Sequence, residues 1–98
     1  MDYKIIWSPE ALEDIDAIGE YIARDSAFYA ESTVNKIYET PQSLIHFPKS
    51  GRVVPEIGDA AIRELYVFQY RLIYEIKGKE IYILTVIHGK RLLDKDQI

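Results

Sequence analysis

The sequence predicts an α+β fold: a small, curved, mainly antiparallel sheet in the order β-α-α-β-β-β, with an N-terminal helical hairpin packed on one face. Apolar residues recur every three or four positions in the first half of the chain, which is typical of amphipathic helices. In the second half, β-branched and aromatic residues fill three closely spaced runs, which indicates strands. With 98 residues, 48% of them hydrophobic and 29% charged, we expect one domain over residues 1–98.

The first strand and the first helix meet at a recognisable boundary. Residues 3–7 favour a strand, Ser8 is a suitable N-cap, and Pro9 suits the first helical position. The apolar stripe of the helix is expected to comprise Ala11, Leu12, Ile15, Ile18, Tyr21 and Ile22. Ser26 can cap a second helix, whose last turns Pro41 should interrupt because proline lacks an N–H group. We therefore expect two antiparallel helices.

The second half of the chain begins with a loop and continues as an antiparallel meander. Residues 47–60 contain several helix and strand breakers, with room for a short extended piece at 52–54. Three predicted strands follow, at residues 62–68, 70–76 and 80–88. Gly78 and Lys79 suit a two-residue turn between the last two strands, since glycine readily adopts positive φ.

That turn also predicts which side chains share a face. It places Arg71 opposite Val86 and His88 diagonally from Arg71 on the same face, whereas Thr85 and Ile87 should face the helices. A three-residue turn would instead put Arg71 and His88 on opposite faces. In the predicted register, cations gather on an open face of the sheet and just beyond its last strand: Arg52, Arg63, Arg71, His88, Lys90 and Arg91.

The balance of charge restricts the class of partner. The net charge is −4, but residues 1–48 hold three Lys/Arg against nine Asp/Glu, and residues 49–98 hold nine against seven. A broad basic face for nucleic acid is therefore not expected, and any basic patch must lie in the second half. No apolar run approaches the roughly 20 residues that span a bilayer, and the start does not resemble a signal peptide. We expect a cytoplasmic protein without a membrane partner.

The candidate chemistry is limited to the basic residues. The chain has no cysteine and only two well separated histidines, so we expect no metal site, and it has no glycine-rich phosphate loop or other cofactor motif. An imidazole can exchange protons near neutral pH, and guanidinium groups bind phosphate oxygens, so this set could bind or cleave a phosphodiester. The alternative is that His88 ends a strand and the cations keep that end solvated.

Six segments, in their order and spacing, resemble the RelE/ParE superfamily of bacterial type II toxins. They are WSPEA, DIDAIGEYIA, FPKSGRVVPE, IREL, YRLIYEI and VIHGKR, and together they cover nearly the whole chain. The resemblance implies the fold described above and a toxin that a cognate antitoxin binds and silences. It also implies contact with DNA only indirectly, through the antitoxin.

The superfamily implies two alternative targets. RelE-like members cleave mRNA on the ribosome, and in that reading Arg71 and Arg91 bind phosphate while His88 serves as general acid or base. The lysine pair that such toxins carry on the preceding strand falls here on Ile62 and Glu64, which removes stabilisation of the transition state. A tyrosine near their C-terminus falls on Gln97.

The resemblance is closer to the ParE branch, whose members poison DNA gyrase without an established hydrolytic role, and we expect that activity in a plasmid-stabilisation type of module. The target-binding residues are then Arg52, Arg63, Arg71, His88, Lys90 and Arg91. A third alternative is a non-toxic family member that acts mainly as antitoxin partner or corepressor.

Overall fold

The observed helices and strands follow the predicted order, with one additional short strand. The computed structural model describes residues 2–94 and 96, so the expectation about Gln97 lies outside the described residues. The elements are β1 (Lys4–Trp7), α1 (Pro9–Ala23), α2 (Ala27–Glu39), a 3-10 helix (Thr40–Ile45), β2 (Arg52–Val53), β3 (Ile62–Val67), β4 (Tyr70–Lys77) and β5 (Glu80–His88). The predicted α+β class is confirmed.

Side-chain caps fix where both helices begin. Ser8 Oγ accepts the Ala11 N–H at 3.0 Å and donates to the Leu84 carbonyl at 3.0 Å, which also ties α1 to β5. Ser26 Oγ accepts the Tyr29 N–H at 3.2 Å at the start of α2. The predicted caps are therefore both present.

The end of the helical hairpin also follows the prediction, but its apolar stripe is narrower. The α-helical pattern stops just before Pro41 and continues as a 3-10 helix, as expected of a residue without an N–H group. Leu12 and Tyr21, which were expected in the stripe, are instead exposed, with relative accessibilities of 39% and 67%. The buried face of α1 is carried by Ala11 and Ile15. In the described part of the chain, no helix is long and apolar enough to cross a bilayer.

The strands form one sheet in the order β1-β5-β4-β3-β2, in which β1 and β5 are parallel and the other pairs antiparallel. The predicted two-residue turn is confirmed, because Lys77 pairs with Glu80 and Gly78 has a φ of 59°. The first strand thus becomes the edge beside the last one, which places β5 inside the sheet.

A β-bulge changes the register that this turn sets. Tyr74 pairs with Ile83, but Ile73 pairs with Thr85, so Leu84 is an extra residue on β5. Beyond the bulge Arg71 lies opposite Ile87 rather than Val86. The prediction that Arg71 and His88 share a face is therefore wrong.

The bulge is supported by a carboxylate from α1. Asp14 Oδ2 accepts the Thr85 hydroxyl and, at 3.1 Å, the Val86 N–H. A main-chain donor at an irregular point of the strand thereby finds a partner across the helix–sheet boundary. The helix thus helps to stabilise the altered register of β5.

Apolar side chains cover both faces of the sheet. Between the helices and the sheet lies a cluster that includes Ile15, Ile37, Leu72, Tyr74 and Val86. A second cluster, on the other face, contains Val54, Ile62, Ile73, Ile87 and Leu93. The prediction of an open face is therefore wrong, since loop residues and the segment after β5 cover it. Ile87, expected toward the helices, lies in this second cluster because of the bulge.

Candidate target-binding site

The six predicted site residues fall into two groups in the structure. Arg52, Arg63 and Arg71 lie on β2, β3 and β4, and all three make hydrogen bonds within the protein. The other three, at the end of β5, are exposed. We call residues 88–91 the β5 end.

Arg71 is buried, with only 3% of its surface accessible. Its Nε and Nη2 atoms lie 2.7 and 2.6 Å from Glu64 Oε1, and its Nη1 and Nη2 atoms lie 2.6 and 2.9 Å from the two carboxylate oxygens of Glu56. Nη1 also donates to the Arg91 carbonyl at 3.0 Å. The guanidinium fork that would bind a phosphate is therefore already bound to two carboxylates.

Arg52 extends these contacts into an ion-pair network of four residues: Arg52, Glu56, Glu64 and Arg71. The Glu64 side chain is fully buried and also accepts a hydrogen bond from Arg52 Nε. Arg52 itself is largely exposed, and its guanidinium lies 5.8 Å from the centre of the Tyr66 ring. The network thus extends from the interior to the surface, and its two positive charges are matched by two negative charges.

Glu56 connects the network to the segment after β5. Hydrogen bonding from Arg71 lowers the pKa of Glu56 from 4.5 to about 2, against the opposing effect of burial, and the Leu93 N–H contributes further. Arg71 donates to the Arg91 carbonyl and Glu56 accepts the Leu93 N–H, so the network holds the main chain on both sides of residue 92. It therefore positions the chain that carries the β5 end.

The depressed pKa of Glu56 predicts acid sensitivity. A carboxylate whose pKa is lower in the folded state stabilises the protein above its unfolded pKa and loses that effect as pH falls toward the folded value. We expect the free energy of unfolding to fall by up to about 2 kcal/mol between pH 4.5 and pH 2 from this residue. Urea titrations at several pH values should show a smaller decrease for Glu56→Gln than for wild type. A decrease of equal size in both would contradict the assignment, and Glu13→Gln, on the exposed side of α1, is the matched control.

Arg63 has a structural role. Its Nε donates to the Ala60 carbonyl at 2.9 Å, and Nη1 donates to the carbonyls of Gly51 at 2.9 Å and Lys49 at 3.3 Å. These bonds hold the loops on either side of β2 against β3. The Arg63 side chain thus donates its hydrogen bonds to main-chain carbonyl groups of the protein itself.

The β5 end borders a groove against α1. His88 Nδ1 accepts the Lys90 N–H at 3.2 Å, which assigns the proton of the neutral ring to Nε2. The imidazole lies edge-on to the Tyr70 ring, with the centroids 5.9 Å apart. The groove has a volume of about 400 Å³ and is lined by Asp14, Ala17, Ile18, Tyr21, Tyr70, Val86, Ile87, His88 and Arg91. His88 and Arg91 therefore share one surface, which Arg71 does not reach.

Two features of this site were missed by the sequence reasoning. Glu56 lies in a loop, and only the folded chain shows that it pairs with Arg71. The turn between β3 and β4 consists of Phe68 and Gln69, and its exposed aromatic residue was not singled out. An apolar residue at a hairpin tip is an available signal, since turns favour Gly, Asn and Asp.

The fold and the family match define the class of protein: a toxin of the RelE/ParE superfamily. The family model that describes the ParE toxin of the type II toxin–antitoxin system parDE matches residues 5–93. The chain therefore belongs to the ParE toxin family, and the predicted resemblance is confirmed.

Two sequence relatives are both named as toxins, one of them after RelE. Toxin RelE2 of Caulobacter vibrioides is 29% identical over 90 residues, covering 91% of this chain and 98% of the relative. Putative toxin Y4kP of Sinorhizobium fredii is 30% identical over 89 residues, covering 88% of each chain. Sequence relatives thus support a toxin without separating the two activities.

Solved structures support the same fold. A chain of the chromosomal ParDE toxin–antitoxin system from P. aeruginosa superposes with a TM-score of 0.75 at 25% identity, covering 90% of this chain and 97% of that one. A mutant of the E. coli toxin RelE in the free state superposes with a TM-score of 0.66 at 12% identity, covering 92% and 86%. The second similarity concerns the fold alone.

Proposed function

We propose that this toxin poisons DNA gyrase without hydrolysing nucleic acid, and that a cognate antitoxin silences it in the cytoplasm. The main support is the state of Arg71, whose guanidinium is bound by Glu56 and Glu64 inside the protein. An arginine that stabilises a phosphorane-like transition state must instead present its donors to the developing charge.

The surroundings of Arg71 also oppose RNA cleavage. A buried carboxylate, Glu64, occupies one of the positions at which RelE-like ribonucleases carry lysine, and it would repel a phosphate brought to this face. His88 lies on the other face of the sheet because of the bulge. His88 and Arg71, two of the three residues that the RelE-like alternative needs, are therefore not assembled around one point, although Arg91 shares a groove with His88.

In this proposal the β5 end makes the direct contacts with the target. His88, Lys90 and Arg91 are exposed, whereas Arg71 supports that end from within by donating to the Arg91 carbonyl. Arg52 and Arg63 instead bind Glu64 and the loops beside β2. The net charge of −4 fits a protein target better than ribosomal RNA, because a polyanion would be repelled by most of the surface.

An antitoxin partner is supported by the ParDE system that the chain resembles. The antitoxin would be the component that contacts DNA, in keeping with the acidic balance of this chain. The toxin would then reach DNA only indirectly, either through the antitoxin or through gyrase.

The first test compares two activities of the purified protein. We expect gyrase-dependent double-strand breaks in supercoiled plasmid and intact mRNA in a translating extract. Codon-dependent mRNA cuts without DNA breaks would contradict the proposal and favour the ribonuclease alternative. An absence of both activities, with antitoxin binding retained, would favour a non-toxic corepressor.

His88 provides a graded test. We expect His88→Ala to weaken growth arrest by less than about tenfold, because one contact among several at an interface is lost and no proton transfer is required. Complete loss of toxicity in a folded variant would indicate acid–base chemistry instead. The matched control is His46→Ala, since His46 is also exposed but lies beside Asp2. Toxicity should be read as growth arrest on induction without the antitoxin.

A further inference from the structure

Phe68 adopts a conformation that an aromatic residue rarely takes. It is the first residue of the two-residue turn between β3 and β4, in which Val67 pairs with Tyr70. Its φ is 54°, and among residues 2–94 and 96 it is the only non-glycine residue with positive φ. Hairpin turns of this kind favour glycine or asparagine, because a bulky side chain at positive φ crowds the main chain.

The position of Phe68 in the fold does not explain this strain. The side chain is 62% exposed, and it belongs to neither apolar cluster of the core. Strained residues that persist without an internal role occur most often at binding sites. A large apolar side chain that projects from a rigid turn is also a typical interface anchor.

The Phe68 turn adjoins the β5 end. The Gln69 carbonyl accepts the Gly89 N–H at 2.7 Å, so the turn and the end of β5 are bonded through their main chains. Tyr66 on β3, 52% exposed, also lies close to Gly89. The Phe68 turn and Tyr66 therefore both adjoin Gly89, the residue that precedes the exposed cations Lys90 and Arg91.

The charge of this surface favours a protein partner over nucleic acid. Arg52 on β2 and Arg71 on β4 are matched by Glu64 and Glu56. A stacking platform for single-stranded nucleic acid requires a positively charged groove along the backbone, which a chain of net charge −4 with these internal pairs does not offer. One apolar anchor beside two cations instead complements an apolar pocket with an acidic rim.

We propose that Phe68 is the apolar anchor with which the toxin engages its protein target, inserting into an apolar pocket bordered by acidic side chains. This rests on the proposed function for the identity of that target, gyrase. The hairpin fixes the main chain on both sides of Phe68, so little backbone entropy is lost on binding. Lys90 and Arg91 then pair with the rim.

Replacing Phe68 separates stability from binding, because the two should change in opposite directions. Asparagine tolerates positive φ, so Phe68→Asn is expected to raise the melting temperature by about 4 °C. The same variant should need an about 30-fold higher concentration than wild type to trap gyrase–DNA breaks, and should lose growth arrest. Phe68→Tyr keeps the ring and should retain most of the activity.

Phe47→Asn is the matched control. Phe47 is exposed to a similar extent, 67%, and it lies beside Tyr3, toward the opposite end of the sheet from the Phe68 turn. The Phe47→Asn variant should trap gyrase–DNA breaks and arrest growth as wild type does. Equal activity of Phe68→Asn and wild type would overturn the proposal, as would equal losses in Phe68→Asn and Phe47→Asn.

The outcomes also distinguish this proposal from the proposed function. If wild type traps no breaks, the gyrase assignment fails, and growth arrest then decides the role of Phe68. If Phe68→Asn still arrests growth, the proposal that Phe68 is the anchor is overturned. If this more stable variant no longer arrests growth, the proposal is supported. Loss of antitoxin binding alone, with breaks retained, would overturn it by assigning the ring to the antitoxin.

Discussion

Replacing Arg71 by methionine is expected to lower the free energy of unfolding by about 4 kcal/mol. The variant removes the cation that faces Glu56 and Glu64, and the Glu64 side chain is fully buried. A buried carboxylate that loses its main partner must either be protonated or draw water into the core. The loss should therefore be largest near neutral pH and smaller in acid.

Urea unfolding followed by the fluorescence of Trp7, the single tryptophan, measures this loss. Arg24→Met is the matched control, because Arg24 is exposed at the end of α1 and should change stability by no more than about 0.5 kcal/mol. Adding Glu64→Leu to Arg71→Met should recover part of the loss, since both halves of a buried pair are then apolar. A loss below about 1 kcal/mol in the single variant would show that the network is well solvated.

The second large effect is expected for Gly51→Ala, which should cost about 3 kcal/mol. A Cβ at this position would lie 2.6 Å from the Glu64 carbonyl oxygen and 2.6 Å from the Tyr74 hydroxyl oxygen. Tyr74 cannot easily move, since it is fully buried and its hydroxyl donates to the Pro48 carbonyl at 2.7 Å and accepts the Gly51 N–H at 3.0 Å. The added methyl group must therefore displace β2 from β3.

The same unfolding measurement tests this effect. Ser50→Ala, at the exposed neighbouring position, should remain within about 0.5 kcal/mol of wild type. Tyr74→Phe removes the contact with the hydroxyl oxygen, so Gly51→Ala should cost less in that background. The close approaches to the Glu64 carbonyl oxygen and, at 2.9 Å, to Cε1 of the ring remain. If Gly51→Ala were as stable as wild type, the result would contradict the close approach of the loop at Gly51 to β3.

Features that depend on local chemistry were predictable from the sequence. The caps at Ser8 and Ser26, the interruption at Pro41 and the turn at Gly78 each follow from one residue's hydrogen bonding or allowed φ. Together with apolar periodicity they determine the order of the elements, which is why the fold class was confirmed.

The register near the site was not predictable in this way. The two-residue turn was correct, yet the bulge at Leu84 reversed the faces of every β5 residue beyond it. No glycine marks this bulge. Its support comes from Asp14, 72 positions away from Val86 in sequence. Such a contact exists only once α1 has packed on the sheet.

The pairing of charges in the candidate site was likewise not predictable from the sequence. Arg71 is prominent in the sequence as a cation, but its chemistry depends on Glu56 and Glu64, which lie on a loop and on the neighbouring strand. Composition counts these charges without showing that, together with Arg52, they form a matched network. The exposed cations of the β5 end were predictable because they lie beyond a strand, where solvent exposure is the usual outcome.

The parallel pairing of β1 with β5 has a consequence for biosynthesis. Lys4–Trp7 bonds to a strand that begins at Glu80, so the N-terminal strand has no partner while the ribosome is still making the intervening residues. Contacts of such long sequence separation form late in folding. The sheet, and with it the β5 end, can therefore be completed only after residue 88 has emerged from the ribosome, and a partly synthesised chain lacks the complete toxin fold.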